Sequence, residues 1–322
     1  MTLISGTAPG TLQPPDSSST FSIDGRLNLR ETLSGARLGP MDPSIKFLDG
    51  AFWRATRTPL GLATERLEVQ PDGRIRVDAW GPGSDVLVER APALCGAFDD
   101  PSSFVPCVPF VRELARRHAG LRIGRNQAVF ETAIGVAVEQ RVATQDAWRS
   151  WRGLVYSLGE PAPGPPRGLR VPPAPERLAA TPFHTFRRFG IDERRATIIK
   201  RLAIVAHRLE HAQQLPLAEA YARLRTIPGV GPWTAARIGL IALGDADAVL
   251  VGDLHVPHLV TRVLAGERRG SDERMLELLE PFRGHRGRVI RLLMAGTMTR
   301  TRREFSTRRL FGSKYSRVLP LE

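Results

Sequence analysis

Two periods run along this chain, and they divide it. From about residue 21 to 104 the apolar positions alternate or fall in short bursts broken by turn residues. There ERLEVQ, then PDG, then RIRVDAW reads as two strands joined by a tight turn. A helix is expected from Ser84, with Val86, Leu87, Ala91 and Leu94 on one face. After about residue 105 the period becomes 3.6. Helices are expected near 109–118, 126–143, 145–158, 193–211, 217–226, 233–243, 254–265, 272–281 and 286–298. Pro and Gly punctuate them, and the longest break, PAPGPPRGLRVPPAPE at 161–176, reads as a proline-rich surface connector. Residues 1–20, ending in PPDSSST, are rich in Ser, Thr and Pro and are expected to be disordered. The fold class expected is α+β: a small mixed α/β domain at 21–104, an all-helical domain at 105–300, and a basic tail at 301–322.

Composition removes several classes. With 322 residues, 42% hydrophobic and 25% charged, the chain has ordinary globular composition. No stretch approaches the ~18–20 uncharged apolar residues of a membrane span, and no basic start leads into an apolar run, so neither a membrane nor a secretory leader is expected. Two cysteines, Cys95 and Cys107, cannot supply a disulfide framework, a four-cysteine zinc site or a four-cysteine iron–sulfur cluster. Their scarcity fits a reducing cytoplasm.

Charge adds a partner. The formal net charge of +13 is uneven: residues 1–120 carry 13 Lys/Arg against 14 Asp/Glu, and residues 121–322 carry 33 against 19. A polyanion is therefore expected to meet the second part, with nucleic acid the commonest. Only Lys46, Lys200 and Lys314 are lysines, a ratio that a GC-rich genome would explain without any function. Arg283, Arg286, Arg288 and Arg291 lie close together, and residues 283–317 hold 11 Lys/Arg and one acid, Glu304. Phosphate contact is the expected use, a solvated basic face the plainer one.

The chemistry gathers around residues 224–235, LRTIPGVGPWTA. A helix ends, PGVG turns the chain, and a new helix starts at Pro232, where proline is welcome. Gly229 and Gly231 permit a tight turn and close approach, and amides at a helix start suit a phosphate oxygen. Ile227 and Val230 are placed to pin the two helices from inside. The pattern is a helix–hairpin–helix, a grip on the DNA backbone that ignores sequence; the contacts expected are Gly229, Val230, Gly231 and Thr234, joined by Arg283, Arg286 and Arg288. Twenty-two residues beyond Gly231, in DAVLVGDLHVPHLV, stands Asp253 at the start of the next helix. Capping is its bland use.

The hairpin, the spacing and the apolar run before Asp253 resemble the helix–hairpin–helix glycosylase superfamily of base-excision DNA repair. The likeness covers roughly 105–300 and is closest to its 3-methyladenine DNA glycosylase II (AlkA-type) branch, which also carries a small mixed α/β domain first. GPWTA resembles that branch's Gly-x-Trp-Thr-Ala, and AVEQRVA its Ile-x-x-Gln-x-x-Ser, with Gln140 at the glutamine position. The resemblance implies a catalytic Asp253, with Gln140 and Trp233 on the lesion side. An expected second aromatic is here Arg237, and Phe282 and His285 stand where large aromatics are usual. Trp233 occupies the position of the Schiff-base lysine of strand-cutting members, so a monofunctional enzyme without lyase activity is implied. No cofactor is implied; any ion would be held by hairpin carbonyls, those of Arg225, Ile227 and Val230. His255 and His258 are expected in packing or phosphate contact, Trp148 and Trp151 in the core, and Cys95 and Cys107 in no chemistry.

The function so implied is hydrolytic release of alkylated purines from damaged double-stranded DNA by a monomer, cytoplasmic and drawn to the nucleoid by its DNA. Release of another base such as hypoxanthine, a non-catalytic DNA-damage binder, and an architectural hairpin protein are the alternatives.

Overall fold

The computed structural model describes residues 13–298. Residues 1–12 of the expected disordered tail and the basic tail at 301–322 lie outside the described residues. In chain order the first part comprises β1 (Ser17–Phe21), α1 (Leu29–Leu33), β2 (Ile45–Leu48), β3 (Ala51–Thr58), β4 (Gly61–Val69), β5 (Ile75–Trp80) and α2 (Ser84–Leu94). The strands form an antiparallel sheet in the order β1-β5-β4-β3-β2. The pair expected from alternation is β4 and β5, closed by Gln70 N–H donating to the Arg74 carbonyl at 2.8 Å. On α2, Leu87, Ala91 and Leu94 are buried as expected, and Val86 is half-buried.

Three features of this part depart from the sequence pattern. Residues 17–20, expected within the disordered tail, instead form with Phe21 an edge strand, running from Ser17 opposite Ala79 to Phe21 opposite Ile75. Its ladder consists of backbone bonds, so polar side chains facing water are no obstacle there. Alternation predicts neither β2 nor β3. Almost all of β3 is buried because both of its faces are covered. Phe52 joins Leu29, Leu33, Leu67, Ile75, Val77 and Leu94 under α1 and α2, while Trp53 and Ala55 pack on the other face with Trp80, Leu169 and Val171. Those last two belong to the proline-rich segment, so the surface connector is corrected as well. Its β6 (Glu160–Pro161) and β7 (Arg170–Val171) pair with each other, and its apolar side chains cover the outer sheet face.

The helical part continues with α3 (Pro109–Arg117), α4 (Val129–Glu139), α5 (Thr144–Leu158), α6 (Pro175–Ala180), α7 (Phe183–Arg187), α8 (Glu193–Ile204), α9 (Ala206–Glu210), α10 (Leu217–Arg225), α11 (Pro232–Ile238), α12 (Val256–Ala265), α13 (Asp272–Leu279) and α14 (Arg286–Met298). The helix expected over 126–143 is shorter, bounded by Gln127 and Arg141 with φ of 51° and 55°. Its start is capped from afar, the Glu210 carboxylate accepting from Phe130 N–H at 2.8 Å and Val129 N–H at 3.3 Å. Trp151 is core, as expected, with its indole N–H on Asp42 at 3.1 Å; Trp148 is half-buried.

Two apolar cores fill this part. One is built from α4–α11, the other from α3, α12, α13 and α14 together with the irregular apolar run at 246–251. Helix α11 is shared between them: Ala235 and Ile238 point into the first, Ala236 into the second, and Trp233 packs against both. The candidate chemistry sits on this seam. Among the described residues no helix is long and apolar enough to cross a membrane.

Candidate active site

Ile227 and Val230 are buried at the hairpin turn, where Val230 N–H donates to the Ile227 carbonyl at 2.9 Å. Gly229 has φ of +102°, and a Cβ built on it would fall 2.4 Å from Ile198 Cγ1 of α8. Both the turn and the packing beneath it therefore require glycine. Gly231 differs. It is exposed, and a Cβ there meets nothing within 4 Å, so its outer side is open. The α11 amides that follow have no acceptor one turn earlier within the helix.

Two of the expected contacts face inward. The Thr234 hydroxyl, expected at a DNA phosphate, is buried and accepts from the Gln140 side-chain amide at 3.0 Å. The same Gln140 Nε2 donates to the Gly229 carbonyl at 3.1 Å. Gln140, which follows α4 directly, thus ties the hairpin to α4.

Asp253 is half-buried, and both of its oxygens accept hydrogen bonds. Its Oδ1 accepts from the backbone N–H of His255 at 2.8 Å and Val256 at 2.9 Å, closing the turn that leads into α12, whose N-cap is His255 and not the expected Asp253. Its Oδ2 accepts from the Trp233 indole N–H at 2.8 Å. The turn into α12 and the placement of the carboxylate are therefore one arrangement. One turn after Trp233 on α11, and so on the same face, Arg237 makes a two-pronged pair with Glu139 at the end of α4, both bonds 3.2 Å. The Glu139 carboxylate holds the guanidinium firmly protonated against the opposing effect of burial, and the charge of Asp253 adds to this. Like charge from Arg237, after the larger effect of burial, depresses Arg291 on α14 to about 10. Asp253, Trp233, Arg237 and Glu139 thus form one charged cluster on the seam. Glu139 was missed in the sequence; its signal was adjacency to Gln140 and the need of a half-buried arginine for a carboxylate.

Phe282 and His285, expected to wall a base pocket, are in the second core instead, 3% and 6% exposed. Phe104 packs on both, with ring centroids 6.4 and 5.4 Å away. Arg288 Nε donates to His285 Nδ1 at 3.2 Å, which leaves Nε2–H to donate to Ser103 Oγ at 2.8 Å. Burial, then the charge of Arg288, lowers the imidazole pKa. This network needs a neutral ring.

The arginines are likewise redistributed. Arg288, expected on DNA, is 4% exposed and forked onto Asp99, which is 3% exposed. Arg286 is forked onto Asp247, its Nε at 2.9 Å, and Arg291 reaches the Glu31 carbonyl of α1 at 2.8 Å. These side chains fasten α14 to its surroundings, because a buried guanidinium must be paired. Arg283 alone of the named three is exposed, in a surface pair with Glu280. Of the carbonyls named for an ion, that of Ile227 already takes the Val230 N–H. Among the described residues no cluster of three or more His, Cys, Asp or Glu is placed to hold a metal. His258 Nδ1 accepts from Gly270 N–H at 2.9 Å. Cys95 is buried and Cys107 exposed.

No protein-family model matches the chain. Its sequence is 29% identical over 217 residues to a Mycobacterium tuberculosis protein named a probable bifunctional transcriptional activator/DNA repair enzyme AlkA. The match covers 64% of this chain but only 42% of that longer protein. In fold it is similar to the 3-methyladenine DNA-glycosylase of Archaeoglobus fulgidus, with a TM-score of 0.72, 19% identity, and coverage of 88% of this chain and 100% of that one. It is also similar to the 8-oxoguanine glycosylase/lyase of Clostridium acetobutylicum bound to double-stranded DNA, with a TM-score of 0.68, 13% identity, and coverage of 90% and 98%. The chain is thus similar in sequence, over 64% of its length, to a protein named for DNA repair, and it shares its α+β fold with these two glycosylases.

Proposed function

We propose that this protein is a monofunctional DNA N-glycosylase that releases alkylated purines from damaged duplex DNA, acting as a monomer and without a cofactor. The observation that carries the reading is the Asp253 carboxylate, held at the seam by two backbone amides and the Trp233 indole beside the hairpin. The target base must leave the stack, at a cost of a few kcal/mol that damage reduces. As the N-glycosidic bond breaks, positive charge grows on the sugar, and a carboxylate fixed in advance stabilises it without reorganising. The same carboxylate orients the attacking water. An N3- or N7-alkylated purine carries positive charge already and departs without a strong general acid.

Two observations support hydrolysis without strand cutting. Trp233 stands where a Schiff-base lysine would be needed, and Lys200 is turned to the Thr181 carbonyl at 2.7 Å. Arg237, in place of an aromatic, favours a second reading in which a neutral base such as hypoxanthine is released, since a guanidinium suits a carbonyl acceptor better than a cation. The test is base release from duplexes holding 3-methyladenine, 7-methylguanine, hypoxanthine or uracil, with Asp253→Asn alongside. Release of methylated purines by the parent alone is the expected result. Binding of damaged duplex with no base released from any of them overturns the enzyme and leaves a damage binder.

A further inference from the structure

Glu139 has no part in the chemistry assigned so far, yet it is the carboxylate to which Arg237 is bound. The pair joins the end of α4 to α11 one turn beyond Trp233, and its side chains are only 17% and 21% exposed. Little water screens it, so its charges act on whatever sits at the seam. Taken singly, the Arg237 guanidinium has opposite consequences for two kinds of base. It repels a purine that arrives cationic. It favours a neutral one, whose departure leaves negative charge on the ring.

We propose that Glu139 is a specificity-determining residue: by neutralising Arg237 beside the Trp233–Asp253 pair, it lets the site accept a cationic alkylpurine. The proposal rests on the glycosylase reading above. Gln140, the next residue, is turned to the hairpin, so the C-terminal end of α4 and the residue after it present a charge-setting carboxylate and a structural amide side by side. Glu139 here touches no substrate; it acts through Arg237.

The test is a ratio. Single-turnover release of 7-methylguanine and of hypoxanthine is measured from matched duplexes with the parent, Glu139→Gln, Arg237→Gln and the double variant Glu139→Gln/Arg237→Met. Both bases leave a sugar that becomes positive, so their ratio isolates the charge that the base brings. Glu139→Gln lowers the 7-methylguanine to hypoxanthine ratio roughly tenfold or more, the order given by one charge roughly 10 Å away at an effective dielectric of about 20. Arg237→Gln raises it, and the double variant, with both charges gone, returns it near the parent value. A purely structural clamp slows both releases alike; an unchanged ratio in Glu139→Gln and Arg237→Gln overturns the proposal. A parent that frees hypoxanthine but no methylated purine overturns it too, while leaving the glycosylase reading intact. If the parent frees neither base, that reading fails. The charge effect is then read as the affinity for a duplex with a cationic pyrrolidine sugar analogue relative to a neutral tetrahydrofuran one, which Glu139→Gln lowers if the proposal holds and leaves unchanged if it does not.

Discussion

The indole N–H of Trp233 meets one oxygen of the Asp253 carboxylate at 2.8 Å while the other oxygen accepts the His255 and Val256 amides at the entry to α12. Neither oxygen is free to swing. The second residue of α11 and a residue three positions before α12 therefore fix each other across the seam between two apolar cores, and the turn leading into α12 doubles as the preorganised charge of the proposed reaction.

Asp253→Asn retains an oxygen for the His255 and Val256 amides and removes the charge. It is expected to melt within a few degrees of the parent and to lose base release by about 10²- to 10³-fold, the range seen when one preorganised electrostatic contact is removed. Asp253→Ala also takes the acceptor from the His255 and Val256 amides and is expected to be about 1 kcal/mol less stable. Thermal melts beside single-turnover assays separate the two effects.

Trp233→Phe keeps an aromatic ring between the cores but removes the donor to Asp253. A hydrogen bond to a charged group contributes about 1.5–3 kcal/mol, so release is expected to slow by about ten- to a hundredfold with duplex affinity little changed. Equal loss of affinity and rate would place Trp233 in DNA binding instead.

Gly229→Ala forces a Cβ into Ile198 at a positive φ. Its stability is expected to fall by more than about 1 kcal/mol, and duplex affinity with it. Gly231→Ala meets no atom of the fold, so a loss of duplex affinity with an unchanged melt would mark its outer side as a contact with DNA.

Arg283 and Arg288 are expected to part company. Arg283→Ala removes an exposed charge and should lessen the log–log salt slope of DNA binding by about 0.9 if it meets a phosphate. Arg288→Ala strands Asp99 in the core, and breaking such a pair costs about 3–5 kcal/mol. Its signature is a lower melting temperature with an unchanged salt slope in the surviving folded protein.

Stability should depend on pH through Glu131. This carboxyl of α4 accepts from Thr56 Oγ1 at 2.7 Å, where the sheet meets the helical part. Burial pushes its pKa up to about 7, Arg54 only partly offsetting this. A carboxyl raised in the folded state binds more protons folded than unfolded between pH ~4.5 and ~7, so stability falls as pH rises through that window. At about 1.4 kcal/mol per unit the loss from this group is of order 3 kcal/mol. Glu131→Gln is expected to gain on the parent in melting temperature between pH 5 and pH 8; a constant difference would refute the assignment.

What was legible in the sequence was local. The PGVG turn, the helix starts at Pro232 and before Pro257, and the β4–β5 hairpin each rest on residues a few positions apart. There turn geometry and period act without help from the rest of the chain. Asp253 was legible because its helix start and its distance from the hairpin lie in one stretch of sequence.

The tertiary structure decided the rest, for one physical reason: burial is a property of what arrives from elsewhere. Strand β3 shows no alternation because the proline-rich segment, more than a hundred residues later, covers its outer face. The arginines of α14 display their sign in the sequence but not their partners; Asp99 and the Glu31 carbonyl, brought up by the sheet domain, turned Arg288 and Arg291 inward. Charge, period and the PGVG motif determined that this chain is basic, with a helical second part and a tight turn between two helices. Only packing decided which charges are left for a ligand, and that Glu139, Arg237, Trp233 and Asp253 are neighbours.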